Sequence, residues 1–332
     1  MTDAELAERL TAFAPALVDG MSRCSGVRRL SGGASQETYL VSLEGDGATC
    51  ALILRRRPDG AVGDERTVAL ATEAALIKAV ARQGAPTPDV LRVFTPADGL
   101  GEAYAMRRIE GETLGRRIVR DDAFKAVRPG LARRCGAVLA AIHRTPLAEV
   151  PPLRVSDAHE ELNRYEDIYR GSGARRPVLE TAFRRLRRRA PPPTAPALLH
   201  GDFRNGNLMI HPVDGLAAVL DWELAHIGSP ASDLGWLCVN SWRFGAFERP
   251  VGGFGDYEDL LAGYADAGGR AITLEEVLYW QALGSLKWGV MCLIMYMSFA
   301  SGADRSVERA MIGRRVSETE IDLITLFDGA LR

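Results

Sequence analysis

The chain has 332 residues, 47% hydrophobic and 25% charged, with a formal charge of −2. It can bury a sizeable core and divide into two lobes, and its charge balance excludes any global attraction to nucleic acid or an anionic membrane. The five cysteines (Cys24, Cys50, Cys135, Cys238, Cys292) form no C-x-x-C pair and leave one over, which fits a reducing cytoplasm better than a disulfide framework or a zinc site.

The opening MTDAELAERL is acidic and amphipathic, unlike a signal peptide, so export is not expected. Residues 3–17 place apolar positions at helical spacing. Val27–Leu30, Thr38–Leu43 and Cys50–Arg55 then read as short strands separated by glycines. A helix is predicted over 64–82, ended by Gly84 and two prolines, and strands over Val90–Phe94 and Tyr104–Ile109.

Beyond Gly111 the pattern turns helical, with Leu131, Cys135, Val138, Leu139 and Ile142 in one stripe that ends near His143. The strand-like exceptions are Ala197–Leu199, Leu208–His211 and Ala217–Leu220. The change of composition divides the chain into a sheet-rich lobe, 1–108, and a helical lobe, 109–332. The arginine-dense stretch Arg184–Arg189, followed by prolines 191–193, reads as a solvated helix face and a stiff connector, with an anion-binding face as the competing reading. The apolar run Trp288–Ala300, about 13 residues against the roughly 20 a membrane span needs, reads as a buried core helix.

The chemistry concentrates in LLHGDFRNGNLMI, residues 198–210, and AAVLDWE, residues 217–223. Phosphoryl transfer needs a base beside the attacking hydroxyl and oxygen ligands that hold magnesium on the nucleotide phosphates. Asp202, Asn207 and Asp221 are residues of those types, on a loop and at the end of the next strand. An H-G-D triplet alone is an ordinary polar turn; the second acid, at the end of an apolar strand, gives the pattern its weight.

Taken together, His200-Gly201-Asp202, Asn207 and Asp221-Trp222-Glu223 resemble the aminoglycoside phosphotransferase and choline kinase superfamily. LSGGASQETYLV and ALILRRRPDG are most similar to a phosphotransferase group that includes domains fused to acyl-CoA dehydrogenases. The match runs from about Leu30 to Leu237. It implies an α+β, bilobal, protein-kinase-like fold with a small antiparallel-sheet lobe and a large helical lobe. The implied activity is ATP- and Mg2+-dependent phosphorylation of a small-molecule hydroxyl.

Carried over to this sequence, the resemblance makes Asp202 the catalytic base and Asn207 and Asp221 the magnesium ligands, with His200 structural. Asp233 would brace the catalytic loop through its backbone amides. Ser31, Gly32, Gly33, Ala34 and Ser35 would form the loop over the nucleotide. Backbone groups from Met106 to Arg108 would meet the adenine. His143 falls at a position the family also favours, but a core or helix-ending histidine is the commoner role. The family's strand-three lysine is missing. Arg55, on one strand face with Ile53 and Arg57, is the substitute, and Glu73 its partner.

Gly201 in place of the H-R-D arginine, and the short interval between Asp221 and Asp233, disfavour a protein kinase. The acceptor could be an antibiotic, met by the acids Asp256, Glu258, Asp259, Glu275 and Glu276. A hydroxyacyl thioester or other lipid-derived alcohol, met by the apolar stretch Trp280–Met297, is the preferred reading. The alternative from another class is an inactive nucleotide-binding scaffold. A monomer or homodimer without nucleic-acid or membrane partners is expected.

Overall fold

Alternation of apolar and polar side chains in the first hundred residues builds a sheet covered on both faces. The computed structural model describes residues 1–32, 36–58, 67–329 and 331. Helices α1 (Asp3–Thr11) and α2 (Ala14–Leu17) precede strands β1 (Arg23–Gly32), β2 (Glu37–Gly45) and β3 (Ala48–Arg56). Helix α3 (Leu70–Arg82) follows, then β4 (Val90–Phe94) and β5 (Ala103–Arg107). The five strands are antiparallel in the order β1-β2-β3-β5-β4.

Because side chains alternate across a strand, Tyr39, Val41, Leu43, Leu52 and Leu54 pack on Leu6 and Leu10 of α1. The opposite face turns Ile53, Tyr104 and Met106 toward Leu70, Ala74 and Ile77 of α3. Arg55 lies on this inner face, and Glu73 is fully buried within α3. The amphipathic segment at the N-terminus is thus two helices rather than one, and the fifth strand stops at Arg107, two residues short of expectation. Gly33, Ala34, Ser35 and the predicted helix start at 64–66 lie outside the described residues.

The second lobe comprises α4 (Gly115–Arg120), α5 (Arg128–His143), β6 (Val155–Ser156), α6 (Ala158–Gly171), α7 (Pro177–Arg188), β7 (Ala197–Leu199), β8 (Leu208–His211), β9 (Gly215–Val219) and β10 (His226–Gly228). It ends with α8 (Ala231–Leu237), α9 (Tyr257–Asp266), α10 (Leu274–Ala300), α11 (Val307–Gly313) and α12 (Val316–Asp328). The apolar stripe of α5 packs against Leu260 and Tyr264 of α9. A Cβ at Gly136 would collide with the Leu260 carbonyl, so this crossing needs glycine. Strands β8 and β9 form a hairpin, and β10 lies between β6 and β7.

Helix α10 runs for 27 residues and is long and apolar enough, by length and composition, to cross a membrane; 56% of its most apolar window is buried in the fold. The run Trp288–Ala300 is therefore part of a longer helix. Its outer end is not core as expected: Ile294, Tyr296 and Met297 are exposed.

Candidate active site between the lobes

Strand β7 delivers His200 and Gly201 into the core, where Asp233 of α8 receives both. Its Oδ2 accepts the His200 N–H at 2.8 Å and its Oδ1 accepts the Gly201 N–H at 3.0 Å. Gly201 has φ +81°, and a Cβ there would run into the Leu224 carbonyl, so the turn needs glycine. The Asp233 carboxylate is buried, a cost to its charge, yet its pKa is lowered by the His143 hydrogen bond and nearby donors. His143 Nε2 lies 3.1 Å from Asp233 and its Nδ1 3.0 Å from the Tyr264 hydroxyl, which makes the helix-ending histidine part of the brace.

Burial lowers the His200 pKa, so the ring is neutral at neutral pH. Its Nδ1 accepts the Asp202 N–H at 3.2 Å, which leaves Nε2–H to donate to the Leu220 carbonyl at 3.0 Å. One buried imidazole thus ties the Asp202 loop to the strand end that carries Asp221.

Three side chains converge on the Asp202 carboxylate. Trp236 Nε1 donates to Oδ1 at 2.7 Å, Asn207 Nδ2 donates to Oδ2 at 2.6 Å, and Arg204 Nε reaches both oxygens at 3.0 and 3.1 Å. The Leu220 N–H donates to the Asn207 carbonyl at 2.9 Å, which sets Asp221 beside the loop. Asp221 has φ +67°, a conformation uncommon for a non-glycine residue and found where a fold constrains it.

Across the cleft, Arg55 Nη2 donates to Asp221 Oδ1 at 3.0 Å and lies 3.5 Å from Glu73 Oε1; Gln36 Oε1 is a further acceptor. The Trp222 N–H donates to the same Glu73 oxygen at 3.2 Å. Burial works against the Arg55 charge, but Glu73, Tyr104 and Asp221 outweigh it and raise the pKa. Burial pushes the Glu73 carboxyl up, opposed by Arg55; the permanently charged guanidinium keeps the two an ion pair. Glu223 is pushed up to about 7 by burial and then by Asp221.

A cavity of about 550 Å³ opens between the lobes. Apolar side chains including Ile53, Ile77, Tyr104, Met106 and Val219 line one part, and Arg55, Asn207 and Asp221 another. Met106, Arg107 and Arg108 all line it, and the Arg107 N–H donates to the Asp89 carbonyl at 2.9 Å. Glu73 is not among the lining residues and acts through Arg55. The backbone of Ser31 and Gly32 closes β1; Gly33, Ala34 and Ser35 lie outside the described residues. Asn207, whose amide nitrogen is turned to Asp202, has Oδ1 left for a cation, and Asp221 supplies a carboxylate on the same cavity wall.

Hard oxygen donors of this kind suit Mg2+, which is bound through few protein ligands and completes its shell with water and phosphate oxygens. Among the described residues no three His, Cys, Asp or Glu side chains converge as a metal cluster.

Residues 26–269 match the family model described as the phosphotransferase enzyme family. The chain belongs to this family. Among the relatives of this chain, acyl-CoA dehydrogenase family member 11 of Gallus gallus is 25% identical over 328 residues, covering 90% of this chain and 40% of that protein. Family member 10 of Mus musculus is 28% identical over 218 residues, covering 62% and 20%. The chain therefore spans less than half the length of these relatives.

A solved structure from Ralstonia eutropha, assigned as an aminoglycoside phosphotransferase, superposes with TM-score 0.72 at 23% identity, covering 94% of this chain and 95% of that one. Spectinomycin phosphotransferase, solved with ADP and spectinomycin, gives TM-score 0.65 at 12% identity, covering 96% and 94%. These likenesses establish the bilobal α+β fold expected from the sequence.

Parts of the other candidate regions are taken up in structural contacts. Arg187 of α7 donates to Asn163 at 2.6 Å and Glu166 at 2.5 Å, and Arg185 donates to the Phe327 carbonyl at 3.3 Å, so these arginines tie helices together. Asp256 pairs with Arg249 at 2.7 Å, and Glu276 caps α10 through Thr273. Sequence reasoning missed Trp236 and Arg204. Trp236 stands three residues after Asp233 on one helix, a spacing that puts both on the same face, and Arg204 stands two residues after Asp202.

Proposed function

We propose that the protein is a small-molecule kinase that transfers the γ-phosphoryl group of ATP to a hydroxyl. The single observation that carries this reading is the joint placement of Asp202, Asn207 and Asp221. The Asn207 side chain holds Asp202 and its main chain receives Leu220, while Asn207 and Asp221 line one cavity. The proposed lobe division remains 1–108 and 109–332, and the proposed setting is the cytoplasm.

In the proposed reaction the acceptor oxygen forms a bond to the γ-phosphorus, the bond from that phosphorus to the β-bridging oxygen breaks, and ADP leaves. The acceptor proton passes to the Asp202 carboxylate, which Trp236, Arg204 and Asn207 hold in place. Asn207 and Asp221 would hold Mg2+, whose charge offsets that of the phosphates. Arg55, exchanging its Asp221 contact for phosphate oxygens, would hold the α- and β-phosphates while Glu73 keeps its guanidinium on the inner face of β3. The apolar walls suit a planar base.

Related folds include enzymes named for macrolides and for choline or ethanolamine, which supports a small alcohol as acceptor. The fused relatives favour a hydroxylated acyl compound or other lipid-derived alcohol. Incubation with ATP, Mg2+ and a panel of hydroxyl compounds tests the reading. Magnesium-dependent phosphorylated product is expected; ATP binding without transfer across the panel would favour the scaffold alternative.

A further inference from the structure

Among the described residues, Arg204 is the one cation whose side chain grips the proposed base. Its Nε reaches both Asp202 oxygens at 3.0 and 3.1 Å, and its guanidinium carbon lies 4.7 Å over the centre of the Trp242 ring. Trp242 is buried and packs in turn, with tilted rings, on Trp236 and Trp288, ring centres 5.3 and 5.0 Å away. Gly206, at φ +123°, adjoins the same side chain, and a Cβ there would meet Nη1. The arginine therefore rests on an aromatic shelf in a fixed orientation rather than swinging in solvent.

Only Nε is spent on Asp202. The two Nη groups make no hydrogen bond to another described residue, and about a quarter of the side chain is exposed. Arg204 also stands outside the nucleotide cavity, although Gly206 and Asn207 of the same loop line it. Its free Nη edge lies beside Asp202, and a guanidinium edge recognises a carboxylate or phosphate through paired hydrogen bonds.

We propose that Arg204 selects an acceptor that carries an anionic group close to the hydroxyl to be phosphorylated. This rests on the phosphotransfer reading of Asp202. An alcohol oxygen bonded to Asp202 and an anion bonded to the Nη edge would lie roughly 4–6 Å apart, the reach of a hydroxyl about two or three carbons from a carboxylate or phosphate. A hydroxy acid or a short polyol phosphate has this chemistry; a thioester or neutral alcohol lacks the charge.

Binding tests the proposal without catalysis. The full chain, free of nucleotide and magnesium, is titrated with 2-, 3- and 4-hydroxybutanoate and their methyl esters, and with glycerol 3-phosphate and glycerol, following tryptophan emission and calorimetric heat. At least one acid should bind about tenfold or more tightly than its neutral counterpart, with the carboxylate and phosphate arms separating the two anion sources. Arg204→Gln should shrink that ratio to within about twofold, and Arg204→Lys should restore part of it.

Equal binding of charged and neutral members by the wild type, which needs no variant, would overturn the proposal. So would a charge preference that survives in a folded Arg204→Gln protein. Charge-selective binding with no phosphorylated product once ATP and Mg2+ are added would retire the kinase reading and leave the anion site standing.

Discussion

Arg55 and Asp221, on different lobes and 166 residues apart in sequence, meet at 3.0 Å. The contact joins the third strand to the proposed metal ligand, with Glu73 behind it. In the proposed role arginine takes the place of the lysine that the family resemblance implies, and its fork can serve Glu73 and Asp221 from one nitrogen while other donors remain for phosphate. Replacing Arg55 by Ala removes charge-assisted bonds of about 2–3 kcal/mol and should raise the apparent KM for ATP by roughly 30- to 150-fold. Arg55→Lys should recover only part of the loss. Nucleotide titrations of the two variants measure it, and an unchanged Ala variant would assign the phosphates to another cation.

Asp233 is expected to be a stability residue as well as a brace. Its two oxygens accept from His200, Gly201 and His143 in a fully buried setting. An Asn there would turn an amide nitrogen toward another donor. Asp233→Asn should cost about 2–4 kcal/mol, read as a melting temperature several degrees lower, with turnover reduced because the loop loses its anchor. Wild-type melting and turnover would show that the loop holds itself.

Asp322 of α12 gives a pH signature remote from the site. Its Oδ1 accepts from Asn240 at 2.7 Å, while its Oδ2 is buried with no partner among the described residues. Burial pushes the carboxyl up from 3.8 to about 6. Between those values the folded state binds more protons than the unfolded, so stability falls as pH rises through this window and levels above it. With the residue only partly buried, solvent screening leaves a loss of about 1–2 kcal/mol. Asp322→Asn keeps the acceptor for Asn240, and should stabilise the protein at pH 8 by about 1 kcal/mol and flatten the profile between pH 4 and 6. Chemical denaturation at a series of pH values reads both.

Much of this arrangement was legible in the sequence because it depends on local spacing. Strand alternation placed Arg55 with Ile53, and the motif order brought Asp202, Asn207 and Asp221 to one loop and one strand end. The helix start at Asp233 pointed back at the loop amides. What escaped depends on packing between distant segments. Trp236 reaches Asp202 from 34 residues away, and Trp242 supports Arg204 from the turn after α8. Composition suggested a buried run at 288–300, but whether an apolar helix end is covered depends on its neighbours, and here Tyr296 is half exposed. The arginines of α7 read as a charged patch because their partners, Asn163, Glu166 and Phe327, lie on other helices.

The most direct test of the account compares the wild type with Asp202→Asn, which preserves shape but removes the carboxylate. Both are followed by phosphorus NMR with ATP, Mg2+ and the acceptor that the panel identifies, with ATP affinity measured in parallel. The account expects transfer to fall by at least about a thousandfold while the nucleotide dissociation constant stays within a few-fold. Transfer at the wild-type rate by the folded variant would contradict it.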